Sequence, residues 1–148
     1  MMARGFEIIK QYQESGIILP VRKTALSAGY DIAAGQDTIL LPGKVTLVPT
    51  GLKAYMENDE YLGVHIRSGL AVRHNLSLIN GQGVIDADYY NNPDNEGHIL
   101  IAIFNHGTEL VEITKGTRIA QGIFYKYLKA DHDSAGAVRT GGLGSTGH

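Results

Sequence analysis

Three short stretches of this chain carry residue types that could do chemistry together. The first, Asn80-Gly-Gln-Gly-Val-Ile-Asp-Ala-Asp-Tyr89, reads as a strand, a tight glycine turn and a second strand. Asp86 follows the apolar pair Val84 and Ile85, where a neighbouring core would partly enclose its carboxylate. A partly desolvated carboxylate is a candidate general base. A turn aspartate bonded to its own backbone is the commoner role, and the spacing does not separate the two. The second stretch, Arg67-Ser68-Gly69, stands ahead of a short helical pattern. Ser68 there is either an N-cap or, with the guanidinium beside it, part of an anion site at the start of a helix. In the third, Arg139 precedes Gly142-Leu-Gly-Ser-Thr-Gly147. A guanidinium, the hydroxyls of Ser145 and Thr146 and the unhindered backbone around Gly144 are donors of the kind that wrap an oligophosphate. An inert linker is the plain alternative.

Other chemistries find no support. The literal G-x-G-x-x-G at 142–147 does not open a helix inside a βαβ unit, since one residue follows it, so it is no dinucleotide fingerprint. No G-x-x-x-x-G-K-[ST] and no G-x-S-x-G occurs. The run from Asp86 to Asn91 lacks the alternating ligands and glycine of a calcium loop. The histidines at 65, 74, 98, 106, 132 and 148 show no close zinc spacing, and the absence of cysteine removes thiolate sites and disulfides.

The elements that must position these groups are mostly strands. Nineteen glycines punctuate segments of strand length such as 45–48, 61–66, 99–104 and 118–127, several alternating with period 2. Many short strands with turn signals about every ten residues predict a sandwich or barrel and not βαβ units. One short helix is expected over 68–75, and Pro20, Pro42, Pro49 and Pro93 are expected in connections. From Asp131 onward glycine dominates and only Val138 and Leu143 are sizeable apolar residues, so this segment reads as a flexible arm without core. The expected organisation is therefore a β domain over 1–130 and an arm over 131–148.

A formal net charge of −2 argues against a protein built to hold a nucleic-acid backbone. At 43% hydrophobic and 19% charged residues the chain can bury a core. Its longest apolar run, 99–104, is far short of the roughly 20 residues of a membrane helix, and no secretory h-region opens the chain. A cytoplasmic protein with no membrane or nucleic-acid partner is expected.

Taken in order, these segments resemble the five motifs of the homotrimeric dUTP diphosphatases. Ser27-Ala-Gly-Tyr-Asp-Ile-Ala-Ala34 is similar to the first, Arg67-Ser-Gly-Leu-Ala71 to the second and residues 80–89 to the third. Gly116-Thr-Arg-Ile-Ala-Gln-Gly122 is similar to the fourth, and Arg139 through Gly147 to the fifth. The resemblance implies an all-β, jelly-roll-like barrel with one short helix and a C-terminal arm, assembled as a trimer with shared active sites.

It implies hydrolysis of dUTP to dUMP and pyrophosphate by in-line attack of water on the α-phosphorus, limiting uracil in DNA and supplying dUMP for thymidylate synthesis. By the same resemblance Asp86 is the base, while Asn80, Gly83, Val84, Ile85 and Tyr89 receive uracil and deoxyribose. Leu143 takes the place of a phenylalanine that stacks on the base, and Leu can cover uracil without stacking. Arg67, Ser68, Gly69, Gln121, Arg139, Gly144, Ser145 and Thr146 match phosphate-binding positions. Mg²⁺ is implied as cofactor, carried by the triphosphate and waters without a direct protein ligand, with Asp31 near its water shell. The chain departs from the family at residues 91–96, a longer loop after Tyr89. Two other readings follow from related families. One is a dCTP deaminase-type relative, disfavoured by a tyrosine after the Ile-Asp pair. The other is a phage-type regulator binding a repressor protein through loop 91–96.

Overall fold

The structure, a computed structural model, describes residues 2–142. In chain order its strands are β1 Gly5–Ile8, β2 Tyr30–Ala33, β3 Thr38–Leu40, β4 Val45–Pro49, β5 Leu52–Tyr55 and β6 Glu60–Ile66. A seven-residue helix, α1 Ser68–His74, leads to β7 Leu76–Leu78, β8 Gly83–Asp86, β9 Leu100–Asn105, β10 Val111–Ile113 and β11 Arg118–Lys126. Two 3-10 turns, Lys10–Tyr12 and Ala87–Tyr89, complete the regular elements. Every strand pair is antiparallel. The larger sheets run β2-β11-β6-β8 and β4-β9-β7, with the ribbons β1-β5 and β10-β3 beside them. This is the all-β, jelly-roll-like architecture expected of the family.

Alternation builds the core. Along β9 the side chains of Ile101, Ile103 and Asn105 are buried while their neighbours are partly exposed, as a strand with one covered face requires. Leu76 and Leu78 of β7 do the same, and with Leu62 and Val64 of β6, where Gly63 between them is also buried, they belong to one continuous cluster. A register shift between Arg118 and Ala120 breaks the alternation in β11, so that Ile119 and Ala120 are both buried. Phe6, Tyr30 and Phe124 meet with ring centroids 5.5–6.1 Å apart and fasten β1 onto β2 and β11. Buried Asn105 donates to the carbonyls of Leu40 and Glu109 and accepts from Gly107 N–H.

Four local expectations need correction. Ser68 is the first residue inside α1 and not its cap; Arg67 occupies the cap position and no side chain caps the helix. Pro49 lies in a strand, as the last residue of β4, where β4 is an edge and no ladder donor is missed. The strands flanking the glycine turn at 79–82 do not pair with each other: β7 joins β9 and β8 joins β6, so the turn carries the chain from one sheet to the other. Asp86 is not enclosed; its side chain is 51% exposed.

Candidate active site

The crossing from β7 to β8 makes a cleft. Each strand is the edge of its sheet, and between them opens a cavity of about 140 Å³. One wall is apolar, from Leu47 of β4, Leu78 of β7 and Leu100–Ala102 of β9; the other is Val64 of β6 and the whole of β8. Asn80 stands at the turn, with Tyr89, Arg139 and Gly142 at the mouth. The turn is pinned by Gly81 N–H to Leu78 C=O (3.1 Å) and Ile79 N–H to Ala102 C=O (3.1 Å), with Gly81 at φ +73°. Among the described residues the outer edge of β8 pairs with no strand. Its backbone donors and acceptors therefore face the cavity as an edge strand's do.

Asp86 ends β8 on the cavity rim. Its carboxylate makes no bond to its own turn; instead Oδ2 accepts from Arg139 Nη2 at 2.5 Å. Arg139 also donates from Nε to Asp88 Oδ1 (2.7 Å) and from Nη1 to Gly141 C=O (2.8 Å), with its guanidinium 5.9 Å from the Tyr89 ring centre. The chain thus leaves β11, runs exposed through residues 128–138, and returns to its own cleft at Arg139. Gly141 is buried there. A Cβ at Gly142 would stand 2.7 Å from Tyr89 Cε1, so the backbone can pass the ring only as glycine.

Tyr89 closes the 3-10 turn after Asp86, its ring half-buried. Its hydroxyl donates to His98 C=O (2.6 Å) and accepts from Asn95 Nδ2 (2.8 Å). Burial pushes the phenol's pKa above its ordinary value, so the group is a neutral wall and not an acid at neutral pH.

The remaining sequence-predicted residues lie elsewhere. Arg67, Ser68 and Gly69 sit at the start of α1, with open space above Gly69. Gln121 of β11 is in register with His65 of β6 on one side and Asp31 of β2 on the other. Asp31 is 3.4 Å from Arg118. Register measures the separation: Asp86 faces Tyr61 of β6, and Arg67 comes six residues further along, about 20 Å at the rise of a strand. One chain therefore presents two groups of candidates, a pocket group around Asp86 and Tyr89 and a polar group around Arg67 and Gln121. Leu143, Gly144, Ser145 and Thr146 lie outside the described residues. The sequence singled out residues 91–96 as a longer loop, but not that the segment holds Tyr89; the asparagine-rich run was the only signal of that role.

Among the described residues no helix is long and apolar enough to cross a membrane. The dUTPase family model matches residues 15–147. A deoxyuridine 5'-triphosphate nucleotidohydrolase of Lactococcus lactis subsp. lactis (strain IL1403) is 50% identical, over 99% of each chain. A dUTPase structure from Streptococcus mutans superposes with a TM-score of 0.82 at 45% identity, covering 86% of this chain and 98% of that one. The dUTPase from phage phi11 of S. aureus shares the fold, with a TM-score of 0.73 at 17% identity over 94% of this chain and 99% of its own. On the family model and the full-length relative, the chain belongs to the dUTPase family.

Proposed function

We propose that the chain hydrolyses dUTP to dUMP and pyrophosphate at the β7–β8 cleft, and that one observation carries this reading. A small cavity has an unpaired strand edge on one side, a rigid aromatic wall at its mouth and a carboxylate on its rim. Uracil has alternating acceptors and donors on one edge, which the backbone of Gly83–Asp86 can match as a sheet neighbour would, with Asn80 at the end of the row. The close turn at 79–82 would leave no room for a thymine methyl, and cytosine presents an acceptor at N3 and a donor at position 4 where uracil presents the reverse. Tyr89 packs on the deoxyribose face. Asp86 takes a proton from the attacking water as its oxygen bonds to the α-phosphorus; the bridging oxygen leaves with the bonding electrons as part of pyrophosphate. Positioning and charge stabilisation supply the rate, since little covalent work falls to the protein.

The polar group belongs to this reaction through a second copy of the chain. Arg67, Ser68, Gly69 and Gln121 of one copy would meet the triphosphate seated in the cleft of the next, in a closed homotrimer with shared sites. Arg139, bound to Asp86 and Asp88 in the lone chain, would exchange those carboxylates for phosphate oxygens, and Leu143, Gly144, Ser145 and Thr146 would follow it. Among the described residues no group of three or more His, Asp or Glu could hold a metal ion. A lone carboxylate beside an anion site suits Mg²⁺, which keeps several waters and takes its oxygens largely from phosphates. Asp31 would orient a water of that ion, whose chemistry is to neutralise triphosphate charge. A soluble enzyme of the cytoplasm fits this reading.

Incubation with dUTP, dCTP, dTTP and UTP in Mg²⁺ tests it. Pyrophosphate should come rapidly from dUTP and far more slowly from the others. Comparable turnover of dCTP, or ammonia release from it, overturns the assignment in favour of a deaminase-type relative.

A further inference from the structure

Residues 91–96 form a loop whose ends meet. Asn91 N–H donates to Glu96 C=O (3.0 Å), Glu96 N–H to Asn92 C=O (3.0 Å) and Asn92 N–H to Tyr89 C=O (3.3 Å). Gly97, at φ +92°, seals it, because a Cβ there would stand 2.8 Å from the Tyr89 carbonyl oxygen. At the centre is Asn92, 5% exposed. Its Nδ2 donates to Tyr89 C=O (2.7 Å) and to Asn95 Oδ1 (2.8 Å), while its Oδ1 accepts from the N–H groups of Asp94 and Asn95. Asn95 Oδ1 also accepts from Gly97 N–H (3.0 Å). These bonds fix which way the Asn95 amide faces, and its Nδ2 is aimed at the Tyr89 phenol oxygen.

The loop is itself fastened to the barrel. Lys53, its side chain 10% exposed, donates to Asn91 Oδ1 (2.5 Å) and Glu96 Oε2 (2.8 Å), and Lys10 N–H reaches the same Glu96 carboxylate. Tyr89 is therefore held at its backbone by Asn92 and at its tip by Asn95 and the His98 carbonyl. A tyrosine ring free at its tip can swing about its side-chain torsions. One tied at both ends cannot yield to an incoming group.

We propose that Asn95 is a positioning residue for sugar discrimination: its amide locks the Tyr89 ring into a wall too stiff to admit a ribose 2′-hydroxyl. This rests on the reading above that Tyr89 packs on deoxyribose. A pocket that can relax rejects one added hydroxyl weakly, so rejection by shape depends on a wall that holds its place.

The experiment compares kcat/KM for dUTP and UTP in the full chain with Mg²⁺, for Asn95→Ala, Tyr89→Phe, the double variant and Tyr89→Ala. Asn95→Ala and Tyr89→Phe should each lower the dUTP preference by about three- to tenfold, the range of one net hydrogen bond. The change should come from faster UTP turnover, which a general loss of structure would not produce. The double variant should be no less selective than Tyr89→Phe, because that variant already lacks the Asn95 tie along with the one to the His98 carbonyl. If Tyr89→Ala relaxes the preference while Asn95→Ala and Tyr89→Phe leave it unchanged, the proposal falls and the sugar-wall reading stands. An unchanged preference in Tyr89→Ala overturns both. Should Asn95→Ala fail to fold, an unchanged preference in Tyr89→Phe still overturns the proposal, since that variant keeps the ring and the loop and loses the phenol's ties to Asn95 and to the His98 carbonyl.

Discussion

Asp86 and Arg139 hold one another across 53 positions of sequence, at the oxygen that would accept the water's proton. Because the Asp86 side chain is half exposed, this pair contributes little to stability. Asp86→Asn should therefore melt with the parent in circular dichroism while kcat for dUTP falls by about 10²–10⁴, the usual contribution of a general base. A variant keeping half its kcat would show that the proton goes elsewhere. Asp86 was legible in sequence through the order of the five motifs alone, since the enclosure its apolar neighbours suggested is not found. Arg139's position on its own chain's carboxylates was not, since a side chain's type does not encode which distant group it meets. Asn92 and Asn95 were invisible for the same reason: in a run of Asn, Pro and Asp every residue reads as turn. Only the fold shows that two of them face inward onto Tyr89.

At the scale of elements, alternation and glycine punctuation place β4, β6, β9 and β11 to within a residue or two. Pairing is a different matter. The segment at 80–89 looks like a hairpin because its turn is short, yet β7 and β8 belong to different sheets, and the gap between their edges is the cleft. Local pattern specifies a strand; which edge it joins is decided by burial of the rest of the chain. The segment behind the cleft has its own titratable joint. His98 Nε2 accepts from Gly51 N–H (2.9 Å), its ring lies 5.2 Å from Tyr12, and its carbonyl receives the Tyr89 hydroxyl. Burial lowers its pKa below the ordinary 6.5, outweighing the opposite pull of Glu96. The unfolded chain thus binds the proton more readily. Stability from this group is complete above pH 6.5 and is lost as pH falls from there toward the folded value, with a slope of at most about 1.4 kcal/mol per pH unit. His98→Gln, which cannot titrate, should show a flatter Tm-against-pH profile than the parent in that window. Parallel profiles would remove His98 from the acid sensitivity.

For the molecule as a whole, the decisive quantity is the separation of about 20 Å along β6 between the residue facing Asp86 and Arg67. An arginine and an aspartate reaching toward each other leave a gap too wide for both to act at one α-phosphate. If both serve the reaction, they come from different copies, and loss of either can be complemented by a neighbour. Asp86→Asn and Arg67→Ala should each abolish most activity as homotrimers, Arg67→Ala through lost charge stabilisation of the triphosphate. Co-refolded with different tags and purified through both, every hybrid trimer contains one boundary at which an intact Asp86 chain meets an intact Arg67 chain in the working order. Such hybrids should recover about one third of parental activity, one site in a closed ring of three. Hybrids as inactive as their parents, or a chain that sediments as a monomer while turning over dUTP, would place the whole site within one copy. The register of β6 against β8 would then have to break when substrate binds.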